Sequence, residues 1–416
     1  KYGWDPLGVA TTTESKQENT SIRIDYIVND NHRLTYNYKL TEGDRLRASG
    51  SNSSFYYESA SYFKGEETDT SSILLVSDWA DNLISEIYYS NKSTDTSQES
   101  PAGQNVPNFY IDDAYGMRVY LGADIYRSAN ALATETDFFK GKLTYYTGDH
   151  KITAGYEQTT YDIYNVFIVA QDGAWEFDTL ADYEAGIASS FFANNAKSGT
   201  VEDAAAAFEY GLTSLYLMDE YAYSDRLSLT AGIRYDEYDS DDDPAKNAAF
   251  ESTYGFANAG IAGTDLLNIR LGMDLIIDDV SDINVTYGTY SAKLPAVWIS
   301  NAYTNDGVRV SAYSSSNAAA GCDPLTSAGS GLPACVQDAI KNAPLTDSKI
   351  DFIAPSFEWP DSKILNITYE RDLPRDMDMT VTYLKSKQEE ALYKVIDTGY
   401  PLNGDIPTVP TEVAPD

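Results

Sequence analysis

Histidine and cysteine are nearly missing from this 416-residue chain, with two of each. A structural zinc site takes four ligands. Two cysteines with the remote His32 and His150 do not supply one. Both histidines fall in turn-like stretches, "NDNH" and "TGDH", away from a nucleophile, so an enzyme is not expected. Positive charge is also scarce: 29 Lys and Arg stand against 64 Asp and Glu, for a net charge of −35. A nucleic acid needs a basic surface, so that class of partner is excluded. No apolar run reaches the roughly 18 residues of a transmembrane helix. That leaves open a transmembrane β-barrel, whose alternating strands give no long apolar run. The opening residues, "KYGWDPLG", lack the charged and apolar regions of a secretory leader. They read as the start of a mature or internal piece.

Aromatic rings, by contrast, are plentiful. Tyr alone numbers 34, more than Phe (14) and Trp (5) together, and 43% of residues are hydrophobic. High net charge with little to bury would suggest disorder; these rings argue against it. Amphipathic rings are enriched where an apolar zone meets water.

The dominant pattern is period two. In "SIRIDYIV" (Ser21–Val28) Ile22, Ile24, Tyr26 and Val28 share one face, and after "NDNH" the run "RLTYNYKL" repeats the design. The same arrangement recurs in "SSILLVSDWA"/"LISEIYYS", "FFKGKLTYYT"/"KITAGYEQTTYDIY", "TSLYLMDEYAYS"/"LSLTAGIRYDEY", "NIRLGMDLII"/"INVTYGTYSA" and "SKILNITYERD"/"MDMTVTYLKSK". Six hairpins, or twelve strands, are predicted, each near the about nine to eleven residues that cross a bilayer at a tilt. Turns within pairs are short. Segments between pairs are long, at about 41–70, 91–137, 168–209, 241–267 and 293–361. Compact soluble domains rarely carry several such loops. Short periplasmic turns alternating with long extracellular loops are the habit of outer-membrane barrels. The fold class predicted is therefore all-β, a partial transmembrane antiparallel up-and-down β-barrel over 21–387, flanked by outer-loop segments at 1–20 and 388–416. A soluble barrel or sandwich explains the strands but not the alternation of connections.

The strand faces extend this reading. Leu229, Ile233, Leu271, Met273 and Val285 are expected to face outer-membrane lipid, with Arg234, Arg270 and Asn284 in a polar interior. Tyr235 and Tyr238 are expected where their strand passes the outer interface. The acids that follow, Asp239, Asp241 and Asp243, then begin an outer loop. They also have the spacing of the first half of a calcium loop, but the sixth position is Pro244 rather than Gly and the twelfth is Phe250 rather than Glu. A looser calcium site stays open beside plain solvation. "TLADYEAG" and "TVEDAAAAFEYG" pair Thr with Asp three residues on (Thr179/Asp182, Thr200/Asp203), a capping signature that predicts two short helices in one loop. Cys322 and Cys335 flank the Gly/Ser/Pro-rich "DPLTSAGSGLPA". They are either two reduced buried thiols or, as expected in an oxidising compartment, a disulfide closing a small loop. Trp298, Tyr303 and Tyr313 could stack on a substrate or pack the loops.

Several strings resemble a known family. "FFKGKLTYYTGDHKITAGYEQTTYDIYNVF" and "DEYAYSDRLSLTAGIRYD" are similar to strand pairs of TonB-dependent outer-membrane receptors, and "SAKLPAVWISNAYTNDGV" (Ser291–Val308) resembles their Oar-like branch. The resemblance spans essentially the whole chain. It implies a 22-stranded barrel, an N-terminal plug, and a TonB box that contacts an inner-membrane complex. Neither plug nor TonB box is visible here, and the chain ends in "PTVPTEVAPD" rather than in a strand closed by an aromatic residue. The expectation is a middle piece of a receptor whose edges pair with missing barrel strands, and whose TonB partner acts through a plug absent from this chain. The other function classes are a passive porin-like channel and a barrel-anchored surface adhesin. No cofactor is expected, apart from a calcium ion left open in the acidic outer loops.

Overall fold

The computed structural model describes residues 2–9, 13–48, 53–112, 116–291, 296–317, 322–329, 331–345, 350–355 and 357–389. The expected C-terminal outer-loop segment therefore lies outside the described residues from 390 onward. In chain order, β1 (Ser15–Asn29) and β2 (His32–Arg47) are followed by the short β3 (Ser54–Tyr56). Next come β4 (Tyr62–Ala80), β5 (Leu83–Glu99), β6 (Asn108–Asp112) and β7 (Arg118–Gly122). The strands β8 (Ala129–Thr147) and β9 (His150–Ile168) lead into β10 (Ala174–Phe177), α1 (Leu180–Ala185) and β11 (Ser190–Ala196). Then β12 (Ala206–Ser224) and β13 (Leu227–Asp239) precede α2 (Ala248–Tyr254), β14 (Asp265–Asp278) and β15 (Ser281–Ser291). Finally come α3 (Ala296–Thr304), β16 (Val310–Ser314), α4 (Ala334–Lys341), β17 (Asp361–Leu373) and β18 (Met377–Glu389).

Twelve of these strands form one antiparallel sheet in the order β1-β2-β4-β5-β8-β9-β12-β13-β14-β15-β17-β18. Every long strand pairs with its successor in the chain, the meander that the hairpin pattern predicts. Short turns lie at one end of the sheet and long connections at the other. Among the described residues β1 pairs only with β2, and β18 only with β17, so the sheet has two open edges.

The strands run further than the hydrophobic alternation marks. The first strand begins at Ser15 rather than Ser21, and β4, β8, β9 and β12 reach 19 residues. At about 3.3 Å per residue such a strand is roughly 60 Å long, twice a bilayer core. The added lengths, such as "KGEETDTSS" in β4 and "NKSTDTSQE" in β5, are polar on both faces. They carry no period-two signal, yet their backbones keep the ladder, as in Glu67↔Asp95 and Thr68↔Thr94.

Register places the apolar residues side by side on one face. Ile24 pairs with Tyr36, Tyr36 with Ile73, Ile73 with Tyr89, and Tyr89 with Phe139. Further along the sheet Leu217 pairs with Ile233, and Ile233 with Ile269. Ile24, Ile233 and Leu271 are 57%, 47% and 52% exposed, which inverts the arrangement of a water-soluble barrel. The opposite face is polar. There Arg234 donates to Glu157 Oε2 (2.8 Å), Asp236 Oδ1 (2.8 Å) and Ser214 Oγ (2.7 Å). Lys142 pairs with Glu86 at 2.6 Å, and Arg270 sits over the Tyr290 ring at 5.2 Å.

The buried core lies at the long-connection end. Four of the connections fold together into a second, six-stranded sheet in the order β16-β11-β10-β6-β7-β3. Around it pack Phe109, Trp175, Phe177 and Phe191, each at most 2% exposed. Of the two predicted helices, the first is α1: Thr179 Oγ1 accepts from Asp182 N at 3.1 Å and Gly186 follows its end. The second is corrected. Val201–Ala204 makes one 3-10 turn, and the Ala run continues as β12. Ala206 pairs with Asn165 of β9, and Phe208, Tyr210 and Leu212 alternate into a buried cluster. Ladder bonds and burial together outweigh the helix preference of alanine, which is worth only tenths of a kcal/mol per residue.

Candidate functional site

The folded cap at the loop end is where recognition chemistry gathers. Its framework is apolar and cross-tied. Trp175 donates its indole N–H to Pro324 O at 2.9 Å. Cys322 and Cys335 are bonded through their sulfurs with Cα atoms 5.6 Å apart, tying the segment before Pro324 to α4. On α4, Val336 and Ile340 are buried in the same core as Phe191 and Tyr313.

One flank of the cap is polar and ring-lined. β3, β7 and β6 bring together Tyr56, Tyr120 and Tyr110 around a cavity of about 340 Å³, also lined by Ala60, Asn108, Arg118, Asp124, Ile125 and Tyr126. The Tyr56 and Tyr120 rings are stacked at 4.2 Å, and Tyr110 meets Tyr120 edge-on at 5.0 Å. Arg118 donates to both oxygens of Asp112 (2.8 and 3.1 Å) and to Glu176. Gly122 ends β7 with φ of +76°, and a Cβ there would strike the Pro107 carbonyl. That close approach seats Asn108 and Asp124 in the cavity wall. Burial pushes the Asp124 carboxyl and the Tyr110 phenol upward, and the Tyr56 phenol to about 12.

A second aromatic group closes the cap over β12 and β13. Phe208 stacks on Tyr303 at 4.1 Å, and Tyr238 on Trp359 at 4.0 Å. Tyr238 is 5% exposed and turned inward, so it does not sit at an outer interface; it lies on the same strand face as Arg234 and Asp236. Of the three aromatic candidates, Tyr303 is 1% exposed and donates to Asp242 O at 2.8 Å. Burial, with Asp243 and Asp242 nearby, pushes its phenol up to about 12. Tyr313 is 7% exposed, whereas Trp298 on α3 is 56% exposed. They do not converge on one pocket.

Asp239, Asp241 and Asp243 are exposed at the end of β13 and just beyond. Asp239 lies against Gly211 and Asp243 against Gly260. Among the described residues no group of three or more His, Cys, Asp or Glu is placed to hold a metal ion. His150 Nδ1 contacts Asp219 at 2.8 Å and its ring stacks on Tyr221; His32 lies edge-on to Trp79. Both are at the short-turn end.

The second sheet and its tyrosine cavity were missed by sequence reasoning. The only signals are the brief alternating runs "NFYID" and "RVYLG" inside a segment read as loop.

An antiparallel meander with an apolar outer face, a polar inner face and a folded cap at one end is an outer-membrane β-barrel wall. The model of the outer membrane beta barrel domain matches residues 7–413, and the chain belongs to that family. Its place is the outer membrane. No curated protein matches. Among solved structures, the outer membrane transporter YddB from Escherichia coli is similar with a TM-score of 0.57 at 11% identity, over 89% of this chain and 40% of that one. A mutant of the ferric enterobactin receptor PfeA from Pseudomonas aeruginosa is similar with a TM-score of 0.50 at 9% identity, over 92% of this chain and 44% of that one. The chain thus spans less than half the length of each of these two proteins, and the likeness is one of fold.

Proposed function

We propose that the chain is a barrel segment of a TonB-dependent receptor of the Oar-like branch, moving a substrate across the outer membrane at the expense of inner-membrane energy. The observation that carries this reading is the pair of open edges at β1 and β18 in a sheet that otherwise has the form of a barrel wall. Unsatisfied backbone groups in lipid cost several kcal/mol each. The edges therefore pair with strands outside the described residues, giving a wider barrel with room for a plug. The sheet's fold likeness to YddB, over 40% of that chain, supports the same conclusion. In this reading the short turns are periplasmic, the cap is extracellular, and the TonB complex acts through the plug.

Uptake by cells carrying the complete gene tests the proposal. Collapse of the proton-motive force, or loss of the TonB protein, should abolish uptake while surface binding persists. A passive porin-like channel would instead keep its flux and show steady conductance in a planar bilayer. A barrel-anchored adhesin would show binding and no uptake in either state.

A further inference from the structure

The cavity on the flank of the cap holds one buried acceptor without a donor, Asn108 Oδ1, beside the carboxylate of Asp124. Asn108 is 4% exposed. Its Nδ2 donates to Ala123 O at 2.8 Å, which leaves Oδ1 buried without a partner in the cavity wall. Beside it, Asp124 accepts one backbone bond, from Tyr126 N at 2.8 Å. Arg127 forms a loose ion pair with it, Nε standing 3.9 Å from Oδ1 without a hydrogen-bond partner while the guanidinium lies over the Tyr62 ring. The other cation in the lining, Arg118, is already shared between Asp112 and Glu176. Counting Arg118 and Arg127 against Asp112, Asp124 and Glu176, the immediate surroundings keep one excess negative charge. Tyr56, Tyr110, Tyr120 and Tyr126 supply the rest of the wall.

A buried acceptor left without a donor carries its full desolvation cost until a donor reaches it. A ligand that answers this wall brings several donors, a positive charge and no lone pairs. Anionic chelates bring the reverse and are repelled. We propose that the cavity binds a primary ammonium group, which donates to Asn108 Oδ1 and to the Asp124 carboxylate with tyrosine rings beside it. The ring faces attract the cation, and the net charge of −35 concentrates amines near the surface. Binding of this kind needs no energised membrane. It stands apart from the transport reading: it can fail while energy-coupled uptake survives, and the reverse.

The test is equilibrium titration of the complete gene product in detergent, by calorimetry, with putrescine and n-butylamine. Butanol and methyl glucoside serve as neutral probes. Saturable binding of both amines, with neither neutral probe competing, is expected. Asp124→Asn should weaken amine binding by about tenfold or more, since a charge-assisted hydrogen bond is worth about 1.5–3 kcal/mol. Tyr126→Ala, at a half-exposed position outside the core, should weaken it severalfold with an unchanged circular dichroism spectrum, and serves if the Asp124 variant does not fold. The proposal is overturned if neither amine saturates. It is equally overturned if both variants bind amines as the parent does, which would mark diffuse attraction to an acidic surface. Methyl glucoside binding in place of the amines would assign the cavity to sugars.

Discussion

Tyr216 of β12 lays its ring over Gly155 of β9, its register partner on the polar face of the sheet. A Cβ at position 155 would occupy the space the ring fills. The glycine is therefore a socket, and the ring in turn lies near the Arg234 guanidinium, 5.8 Å from its centroid. Gly155→Ala should destabilise by about 1–3 kcal/mol through overpacking. In Tyr216→Ala the same substitution should be nearly neutral, giving a non-additive double-mutant cycle in urea midpoints. Additive effects would show that the two positions do not share this space.

Arg234 is the hub of the polar face, holding Glu157, Asp236 and Ser214 on three strands. Asp236 is 5% exposed. Arg234→Leu leaves it buried with only Ser214 and Asn268 as partners, for an expected loss of about 1–3 kcal/mol. Adding Asp236→Asn should recover part of that loss. If the double variant is no more stable than Arg234→Leu, the charge pair is not the cause.

The two faces of the sheet can be told apart by label access. Cysteines placed at Leu229, Ile233, Leu271, Met273 and Val285 should carry spin labels that are relaxed by lipid-soluble oxygen. Labels at Arg234, Arg270 and Asn284 should respond to an aqueous quencher. The asymmetry follows from the cost of a cation at mid-bilayer on a barrel's outer face, about 2–4 kcal/mol. Oxygen access at Arg234 would put the register one residue out and reverse both faces.

For Cys322 and Cys335 the expectation is an intact disulfide in protein taken from the outer membrane. Intact mass after thiol alkylation should show no added label without reductant and two labels with it. Replacing both by Ala should lower the stability of the cap by about 3 kcal/mol, as expected for a closed loop of this size. Because β1–β18 ladder bonds do not run through this loop, the loss should appear as earlier proteolysis in 323–334 with the sheet unchanged.

Asp172 introduces a pH dependence. It is 5% exposed in the connection after β9, and burial raises its carboxyl from 3.8 to about 7. The folded state holds this proton more tightly than the unfolded chain does. Its contribution is therefore fully present below about pH 4 and is lost as pH rises through about 7. The melting temperature of the cap should fall across that window, and Asp172→Asn should flatten the fall. A parent profile that stays level from pH 4 to 8 would mean that Asp172 is solvated.

The sequence by itself determined the meander. Alternation in "SIRIDYIV" or "LSLTAGIRYDEY" is a local property, because successive side chains point to opposite faces wherever the strand lies. Which face meets lipid was legible from the same letters, since Ile233 and Arg234 cannot exchange environments cheaply. Strand ends were not legible, because Thr68↔Thr94 and its neighbours pair through backbone, which has no side-chain signature. Tertiary structure alone decided the rest. The end of the Ala run, Ala206 and Ala207, became strand because Asn165 and Tyr164 of β9 offered ladder bonds at that height. Tyr238 turned inward because Trp359, 121 residues on, came to cover it. Tyr56, Asn108 and Asp124 line one cavity because β3 and β6 both pair with β7. Contacts between residues far apart in the chain depend on loop closure and packing, neither of which is written in any local pattern.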